Sequence, residues 1–226
     1  MTGHVVETAV PESYEENRQL ASPGDRFGAR MQSNSSAVAL QARLFEKELQ
    51  NLADSFRRLT EDGSVVRAAA MVVAARRRFV VGAGKSFAYA NLLAADMSAG
   101  LSQVTLVDGT VVRALDVLSD VRDSDILVAF SFRRYRRQTL LIAEQFVESG
   151  GTLVAITDDA ESPLGKSAAE SVVVPTGSAS FADSPTAVAS TIHLLSTLTT
   201  ASSKGARRRI AERERIGRKL DIYLEN

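Results

Sequence analysis

The sequence predicts an α/β protein built on a five-stranded parallel sheet, and three observations carry this prediction. Short apolar runs alternate along the chain with segments of helical periodicity, an order typical of βαβ units. The runs are continuous in apolar character, as expected for strands buried on both faces. Hydrophobic residues make up 45% of the 226 residues and charged residues 24%, as in ordinary globular proteins.

Residues 1–36 precede this pattern and are polar. The segment is interrupted by prolines and glycines, namely Gly3, Pro11, Pro23, Gly24 and Gly28. It ends in the sequence SNSS. This composition predicts a flexible, non-helical tail. It fits either a linker without a further role or a short docking segment. Residues 37–226 are expected to form one folded domain.

Two helices are expected to lead into the sheet. The first begins at Ala37 with Ser36 as its N-cap, and its apolar positions recur near the 3.6-residue period. Gly63 interrupts it, and Ser64 is expected to cap a second helix over residues 65–75.

Five strands follow, near residues 78–82, 103–107, 125–130, 152–156 and 171–174. The helices between and after them are expected over 87–99, 111–118, 138–148, a short turn after Ser162-Pro163, 185–201 and a charged terminal segment. Strands separated by helices favour right-handed crossovers and a parallel sheet.

Composition excludes several classes of site. The chain has 27 basic and 27 acidic residues, so a basic surface for nucleic acid could only be local. It has no cysteine, which excludes disulfides and thiolate metal sites, and only two histidines, His4 and His193. No apolar stretch is long enough to span a membrane, and the N-terminus lacks a secretory pattern. We therefore expect no metal or cofactor, no membrane contact and a cytoplasmic location.

The loop after the first strand reads Gly82-Ala83-Gly84-Lys85-Ser86 and opens a helix. Glycines let backbone approach an anion, and a helix N-terminus offers free N–H groups. Gly82, Gly84, Lys85 and Ser86 are therefore candidate ligand-binding residues. A phosphate-binding P-loop would require glycine where Phe79 stands.

Two other interpretations of this loop stay open. A dinucleotide site would require a small residue where Phe87 stands, although Asp108 lies near the position expected for its acidic residue. The loop could also be a tight strand-to-helix turn that binds nothing.

The loop after the third strand is strongly basic. It reads Ser131-Phe132-Arg133-Arg134-Tyr135-Arg136-Arg137-Gln138. Cations are unfavourable at a helix N-terminus, and guanidinium groups suit phosphate or carboxylate, so the cluster predicts an anionic partner. The candidate binding residues are Ser131, Arg133, Arg134, Tyr135 and Arg136, with Tyr135 either stacking on the ligand or covering the edge. The alternative is a solvated helix start.

The two loops, in this order, resemble those of the sugar isomerase (SIS) domain, and more narrowly the sugar-sensing half of the MurR/RpiR family of bacterial regulators. The similarity runs from about Leu40 to the C-terminus. It is carried by LQARLFEKELQNLADSFRRL, RRRFVVGAGKSFAYANLLAADMSAGL, DVRDSDILVAFSFRRYRRQTLLIAEQFVESGGTLVAITDDAESPLGKSA and ADSPTAVASTIHLLSTL. It implies a flavodoxin-like three-layer α/β/α sandwich, a homodimer or homotetramer with its ligand site near the subunit interface, and a phosphorylated sugar or related small anion as ligand.

The arginine loop departs from the family pattern Ser-x-Ser-Gly-x-Thr-x-Glu. Ser86 and Ser131 match family serines, but Arg133, Arg134, Arg136 and Gln138 replace the second serine, the glycine, the threonine and the glutamate. Hydroxyls that cradle a phosphate in the family have become cations. The ligand is therefore expected to be either a sugar phosphate held by guanidinium groups or a smaller acid.

A helix-turn-helix domain, which RpiR-type regulators carry, is not expected in residues 1–36, so direct DNA binding is not predicted. The basic segment 204–219 is interpreted as a solvated helix packed on a partner subunit, with weak attraction to nucleic acid as the alternative.

The leading functional hypothesis is a stand-alone sensor domain without catalysis, and the alternatives are an aldose–ketose isomerase or a regulator whose DNA-reading part lies on another chain. Isomerisation requires a tuned base, and Gln138 cannot act as one. His193 lies among apolar residues, which is typical of a core or interface residue. Glu144 and Glu148 lie farther along their helix, and Asp158, Asp159 and Asp183 remain as candidates.

Overall fold

The computed structural model describes residues 22–31 and 36–224. Its strands are β1 (Arg77–Gly82), β2 (Val104–Leu106), β3 (Asp125–Phe130), β4 (Thr152–Thr157) and β5 (Glu170–Val173). Its helices are α1 (Pro23–Met31), α2 (Ala37–Asp62), α3 (Ser64–Ala74), α4 (Lys85–Gly100), α5 (Ala114–Leu118), α6 (Arg137–Glu148), α7 (Pro163–Ser167), α8 (Thr186–Ser202) and α9 (Ala206–Lys219).

The strands form one parallel sheet in the order β2-β1-β3-β4-β5. Central register pairs are Val80 with Val128 and Val128 with Val154. All six residues of β3 are buried, which explains its unbroken apolar sequence. The predicted five-stranded parallel sheet is confirmed, and because its strands are parallel their carboxyl ends meet at one edge.

Helices cover both faces of the sheet, so the predicted three-layer sandwich is also confirmed. One core cluster joins the sheet to α3, α4 and α8 through residues such as Leu93 and Leu195. The other joins it to α5, α6 and α7 through residues such as Phe146 and Leu164. Each large side chain buried in this way stabilises the fold by about 1.5–3 kcal/mol.

Helix ends follow local capping chemistry. The Ser36 hydroxyl accepts the Ala39 N–H at 3.3 Å, so the predicted N-cap of α2 is confirmed. The prediction that Ser64 caps α3 is wrong. Gly63, at a φ of 64°, separates the two helices, and Ser64 is already the first helical residue. Glycine takes this left-handed conformation without steric penalty.

The start of α5 also differs from its prediction, which placed helix from residue 111. The Asp108 carboxylate accepts N–H bonds from Thr110, Val111 and Val112. These bonds close a turn after β2, and the helix begins only at Ala114.

Helix α1 has no counterpart in the sequence predictions. It spans Pro23–Met31, where a non-helical segment is expected, so that expectation is wrong over these nine residues. The Ser22 hydroxyl accepts the Asp25 N–H at 3.0 Å, which caps the helix. The other parts of the predicted tail, 1–21 and 32–35, lie outside the described residues.

Arg78, the second residue of β1, has a structural role. It is buried, and its guanidinium donates to the carbonyls of Val72, Val73 and Ser102 at 2.7–3.0 Å. These acceptors include the last carbonyls of α3, which a helix leaves unpaired. Arg78 therefore stabilises the sheet edge opposite the ligand loops.

The outer face of α2 is apolar and uncovered. Val38, Phe45, Leu49 and Phe56 are between 44% and 77% exposed, while the inner face buries Asn51, Ser55 and Leu59. A row of exposed apolar side chains on one helix face is typical of an interaction surface. Within the described chain, no helix is long and apolar enough to span a membrane.

Candidate functional site

A cavity of about 550 Å³ opens at the carboxyl edge of the sheet. Its walls come from the loops after β1 and β3, from the segment between β5 and α8, and from α1. Parallel α/β sheets bind ligands in the crevice beyond the carboxyl ends of their strands. The volume lies within the range of about 300–1,000 Å³ that small-molecule sites occupy.

The described lining is strongly cationic. It contains one carboxylate, Asp183, and six cations: Arg26, Lys85, Arg133, Arg134, Arg136 and Arg137. Like charges gathered at one cavity repel one another, and an anion relieves that repulsion. The electrostatics of the cavity therefore favour an anionic ligand.

Two serines add hydroxyls to this cavity. Ser86 lies in the first turn of α4, and Ser131 directly follows β3. Ser131 is 2% exposed, and among the described residues its hydroxyl has no hydrogen-bond partner. Because a buried hydroxyl without a partner is costly, Ser131 is suited to binding a ligand.

The first loop is shaped by its glycines. A Cβ on Gly82 would lie 2.4 Å from the Ser86 carbonyl oxygen, so only glycine lets α4 begin this close to β1. Gly84 adopts a φ of 63°, and a Cβ there would lie 3.1 Å from the Arg136 guanidinium. The two loops identified from the sequence therefore lie against each other.

Asp158, at the end of β4, holds the arginine loop. Its carboxylate accepts the Arg133 backbone N–H at 3.3 Å and lies 3.8 Å from Arg133 Nε. The Tyr135 hydroxyl donates to the same carboxylate. Burial raises the pKa of Asp158, even though the Arg133 charge opposes this shift.

Aromatic rings form an apolar wall of the cavity. The rings of Tyr89 and Phe132 meet edge to face with centroids 5.8 Å apart. Burial raises the pKa of Tyr89 to about 12, and burial together with the Asp158 charge raises the pKa of Tyr135 to about 12. Both hydroxyls are therefore protonated donors at neutral pH.

The segment between β5 and α8 forms the remaining wall. The Asp183 carboxylate pairs with Arg26, and the Asp183 carbonyl oxygen accepts a hydrogen bond from Lys85 Nζ. This segment is fixed to α2, because the Ser184 hydroxyl donates to Glu48 and the Asn51 amide donates to the Gly177 carbonyl.

Residues 71–202, more than half of the chain, match the SIS domain. The chain belongs to the SIS domain family. No curated protein matches the sequence significantly.

The fold of this SIS domain recurs in solved structures. The sugar isomerase domain of an RpiR transcription factor from Sphaerobacter thermophilus superposes with a TM-score of 0.72 at 23% identity, covering 78% of this chain and 98% of that one. The Vibrio vulnificus NanR protein complexed with ManNAc-6P gives 0.64 at 18% identity, covering 81% and 73%. A phosphoheptose isomerase from Francisella tularensis gives 0.59 at 14% identity, covering 74% and 100%.

The cavity at the carboxyl edge of the sheet is lined by most of the ligand-binding residues that the sequence predicts. Those that line it are Lys85, Ser86, Ser131, Arg133, Arg134, Tyr135 and Arg136. Gly82 and Gly84 line a smaller adjoining cavity of about 220 Å³, together with Gln138 and the buried Thr139.

Several lining residues were not predicted from the sequence, among them Tyr89 and Phe132 of the apolar wall. Arg137 belongs to the quoted loop and was available from the same basic pattern. Thr176 comes from an irregular loop, and Arg26 from a segment without a predicted helix, so neither had a local signal. Asp183 was predicted only as a candidate acid.

His193, Glu144 and Glu148, three of the other predicted acid–base candidates, lie outside the lining of this cavity. His193 is exposed on α8, so its interpretation as a core residue is wrong, while the interface interpretation stays a prediction. Glu144 and Glu148 are exposed along α6. Asp108, considered above only for a dinucleotide site, accepts hydrogen bonds from its own loop, and these bonds lower its pKa.

Proposed function

We propose that this SIS domain binds a phosphorylated sugar, or a closely related small anionic carbohydrate derivative, and that its role is regulatory. The observation that carries the proposal is the excess of cations over the carboxylate Asp183 in a cavity large enough for such a ligand. The likeness to RpiR and to NanR bound to ManNAc-6P supports both the ligand class and the regulatory role.

Different lining residues suit different parts of such a ligand. Ser86 and Ser131 offer hydroxyl donors at the carboxyl edge of the sheet, and Arg133 and Arg136 offer guanidinium groups that suit a phosphate group. Tyr89 and Phe132 provide an apolar surface against which a sugar ring packs. This division fits a ligand with one anionic group and one carbohydrate body.

Sensing is favoured over isomerisation because the carboxylate in the described lining of the cavity is already paired and is poorly suited to act as a base. Asp183 is the carboxylate of the described lining, and it is already engaged by Arg26 and by the main-chain contact to Lys85. Gln138, at the position of the family glutamate, exchanges no proton at neutral pH.

The first test measures thermal stability with inorganic phosphate, sulfate, glucose 6-phosphate, ribose 5-phosphate and succinate. At least one phosphorylated sugar should raise the Tm of the wild-type protein. The double variant Arg133→Ala with Arg136→Ala should abolish that shift and weaken binding at least about a hundredfold in calorimetry, because two charge-assisted contacts are lost.

A matched control removes two arginines elsewhere. Arg208 and Arg213 are exposed on α9 and lie outside the cavity lining, so their double alanine variant has the same net charge and should bind like wild type. Equal loss in both variants, or no Tm shift with any of the five anions, would overturn the proposal.

Isomerase activity is tested separately by solvent deuterium. Wild-type protein incubated in D₂O with each phosphorylated sugar should leave the carbon-bound hydrogens next to the carbonyl unexchanged in NMR spectra. Enzyme-dependent exchange at that carbon would replace the sensor proposal with catalysis.

We also propose that the SIS domain forms a homo-oligomer through the outer face of α2. Val38, Phe45 and Leu52 are spaced by seven residues, and Leu49 and Phe56 each lie four residues after one of them. Such spacing is typical of a helix seam that pairs with another helix. A second copy of the chain offers the same seam and would cover the exposed apolar surface.

A further inference from the structure

Arg26 lines the cavity at the carboxyl edge of the sheet, although it lies outside residues 71–202, which match the family. Its side chain is 14% exposed, and Nη1 pairs with Asp183. Its Nε is buried and has no hydrogen-bond partner within residues 22–31 and 36–224. A buried donor without an acceptor is unfavourable, so this guanidinium has capacity for an anionic oxygen of a ligand in the cavity that it lines.

Helix α1 is only lightly attached to the domain. Besides the Arg26–Asp183 pair, Phe27 meets Phe181 edge to face with ring centroids 6.1 Å apart, and both rings remain exposed. A nine-residue helix with glycines at positions 24 and 28 is too short to be stable by itself. Among the described side chains of α1, Arg26 provides the charged contact and Phe27 the aromatic one.

The surface on which α1 rests is, in contrast, fixed. The segment around Asp183 is fastened to α2 through the Ser184–Glu48 and Asn51–Gly177 hydrogen bonds. Asp183 also holds Lys85, in the first turn of α4. Helix α1 and the first ligand loop thus share one anchor, and a ligand between them would meet Lys85 and Arg26 together.

We propose that Arg26 is a ligand-binding residue of this site, and that a bound anion clamps α1 over the cavity by engaging its guanidinium. This inference rests on the proposed anion binding. It assigns the segment before the SIS domain a role in completing the site.

The test combines affinity with hydrogen exchange on the full chain, using glucose 6-phosphate, ribose 5-phosphate and inorganic phosphate as probes. In wild type, a bound probe should slow amide exchange in residues 22–31, measured by mass spectrometry. Arg26→Ala should weaken binding about tenfold and remove this protection. Arg26→Lys should restore part of the affinity, because the charge is kept and the fork geometry is lost.

Arg57→Ala is the matched control, since Arg57 is an exposed arginine paired with Asp54 on α2; it should leave both readouts unchanged. Phe27→Ala should reduce the protection of α1 more than the affinity, which separates clamping from direct contact.

The outcomes separate the two proposals. If Arg133→Ala with Arg136→Ala abolishes binding while Arg26→Ala leaves affinity and protection at wild-type values, the role of Arg26 is refuted and anion binding stands. If none of the probes binds wild-type protein, both proposals are refuted.

Discussion

At the scale of single residues, Asp158 combines two opposing requirements. It is 14% exposed, so its charged form loses solvation, and burial raises its pKa above the usual 3.8. It nevertheless holds the arginine loop through the backbone of Arg133 and the hydroxyl of Tyr135. The site therefore keeps a carboxylate that costs stability when charged, because that carboxylate positions the cations of the loop.

This conflict predicts a pH dependence of stability. A carboxyl group that binds its proton more tightly in the folded state contributes stability that is fully present below the unfolded pKa. That stability is lost as pH rises through the folded pKa. The free energy of unfolding of wild type, relative to Asp158→Asn, should therefore fall as pH rises above 3.8. Urea unfolding of both proteins at a series of pH values measures this difference.

Comparing the free energies of unfolding of wild type and Asp158→Asn removes the contribution of carboxylates whose pKa is lowered. The pKa values of Asp116, Asp120 and Asp125 are lowered, so these groups add stability as pH rises, but they are common to both proteins. A difference between the two proteins that stays constant or rises with pH would contradict the assignment.

At the scale of elements, the strands and the two ligand loops could be predicted because their signals are local. Val80 and Val128 lie in unbroken apolar runs, since strands covered on both faces tolerate few polar residues. Parallel strands end at one edge, so the loops that follow β1 and β3 lie side by side there. Gly84 and the Arg136 guanidinium bring the two loops together.

Helix α1 could not be predicted from the same kinds of signal. Pro23, Gly24 and Gly28 lower its intrinsic helical preference, and its stabilising partners, Phe181 and Asp183, lie more than 150 residues away in sequence. Tertiary contacts of this range leave no periodicity in the sequence. The place of Thr176 and Asp183 in the cavity lining could not be predicted either, because an irregular loop has no register that would indicate which side chains face a cavity.

The outer seam of α2 yields a prediction about assembly. Two acidic side chains in an apolar interface would be costly to desolvate. The double variant Phe45→Glu with Leu49→Glu should therefore weaken self-association at least about a hundredfold, while circular dichroism stays unchanged. Multi-angle light scattering across a concentration series measures the mass of the assembly.

A control variant adds the same two negative charges to α2 but places them outside the seam. Ala39→Glu with Gln50→Glu adds the same two charges to exposed positions on α2 that lie about 100° around the helix from the seam, and it should leave the oligomer intact. A wild-type protein that is monomeric at all concentrations would contradict the role of the seam.

At the scale of the whole molecule, charge is balanced in total and segregated in space. The sequence has 27 basic and 27 acidic residues, yet the described cavity lining has six cations and one carboxylate. The compensating acids lie elsewhere: Asp120 and Asp125, for example, bind Arg77 on β1 near the opposite edge of the sheet. A neutral protein can thus present a local positive field that attracts small anions.

This segregation predicts how binding responds to salt. Arg134, Arg136 and Arg137 are exposed, so their attraction for an anion is screened as ionic strength increases. Raising NaCl from about 0.05 to about 0.5 M should weaken the affinity for a phosphorylated sugar by about tenfold. Calorimetric titrations at several salt concentrations measure the slope, and Arg133→Ala with Arg136→Ala should flatten whatever binding it retains. An affinity that is independent of salt would mean that hydroxyls and backbone amides, and not the guanidinium groups, hold the ligand.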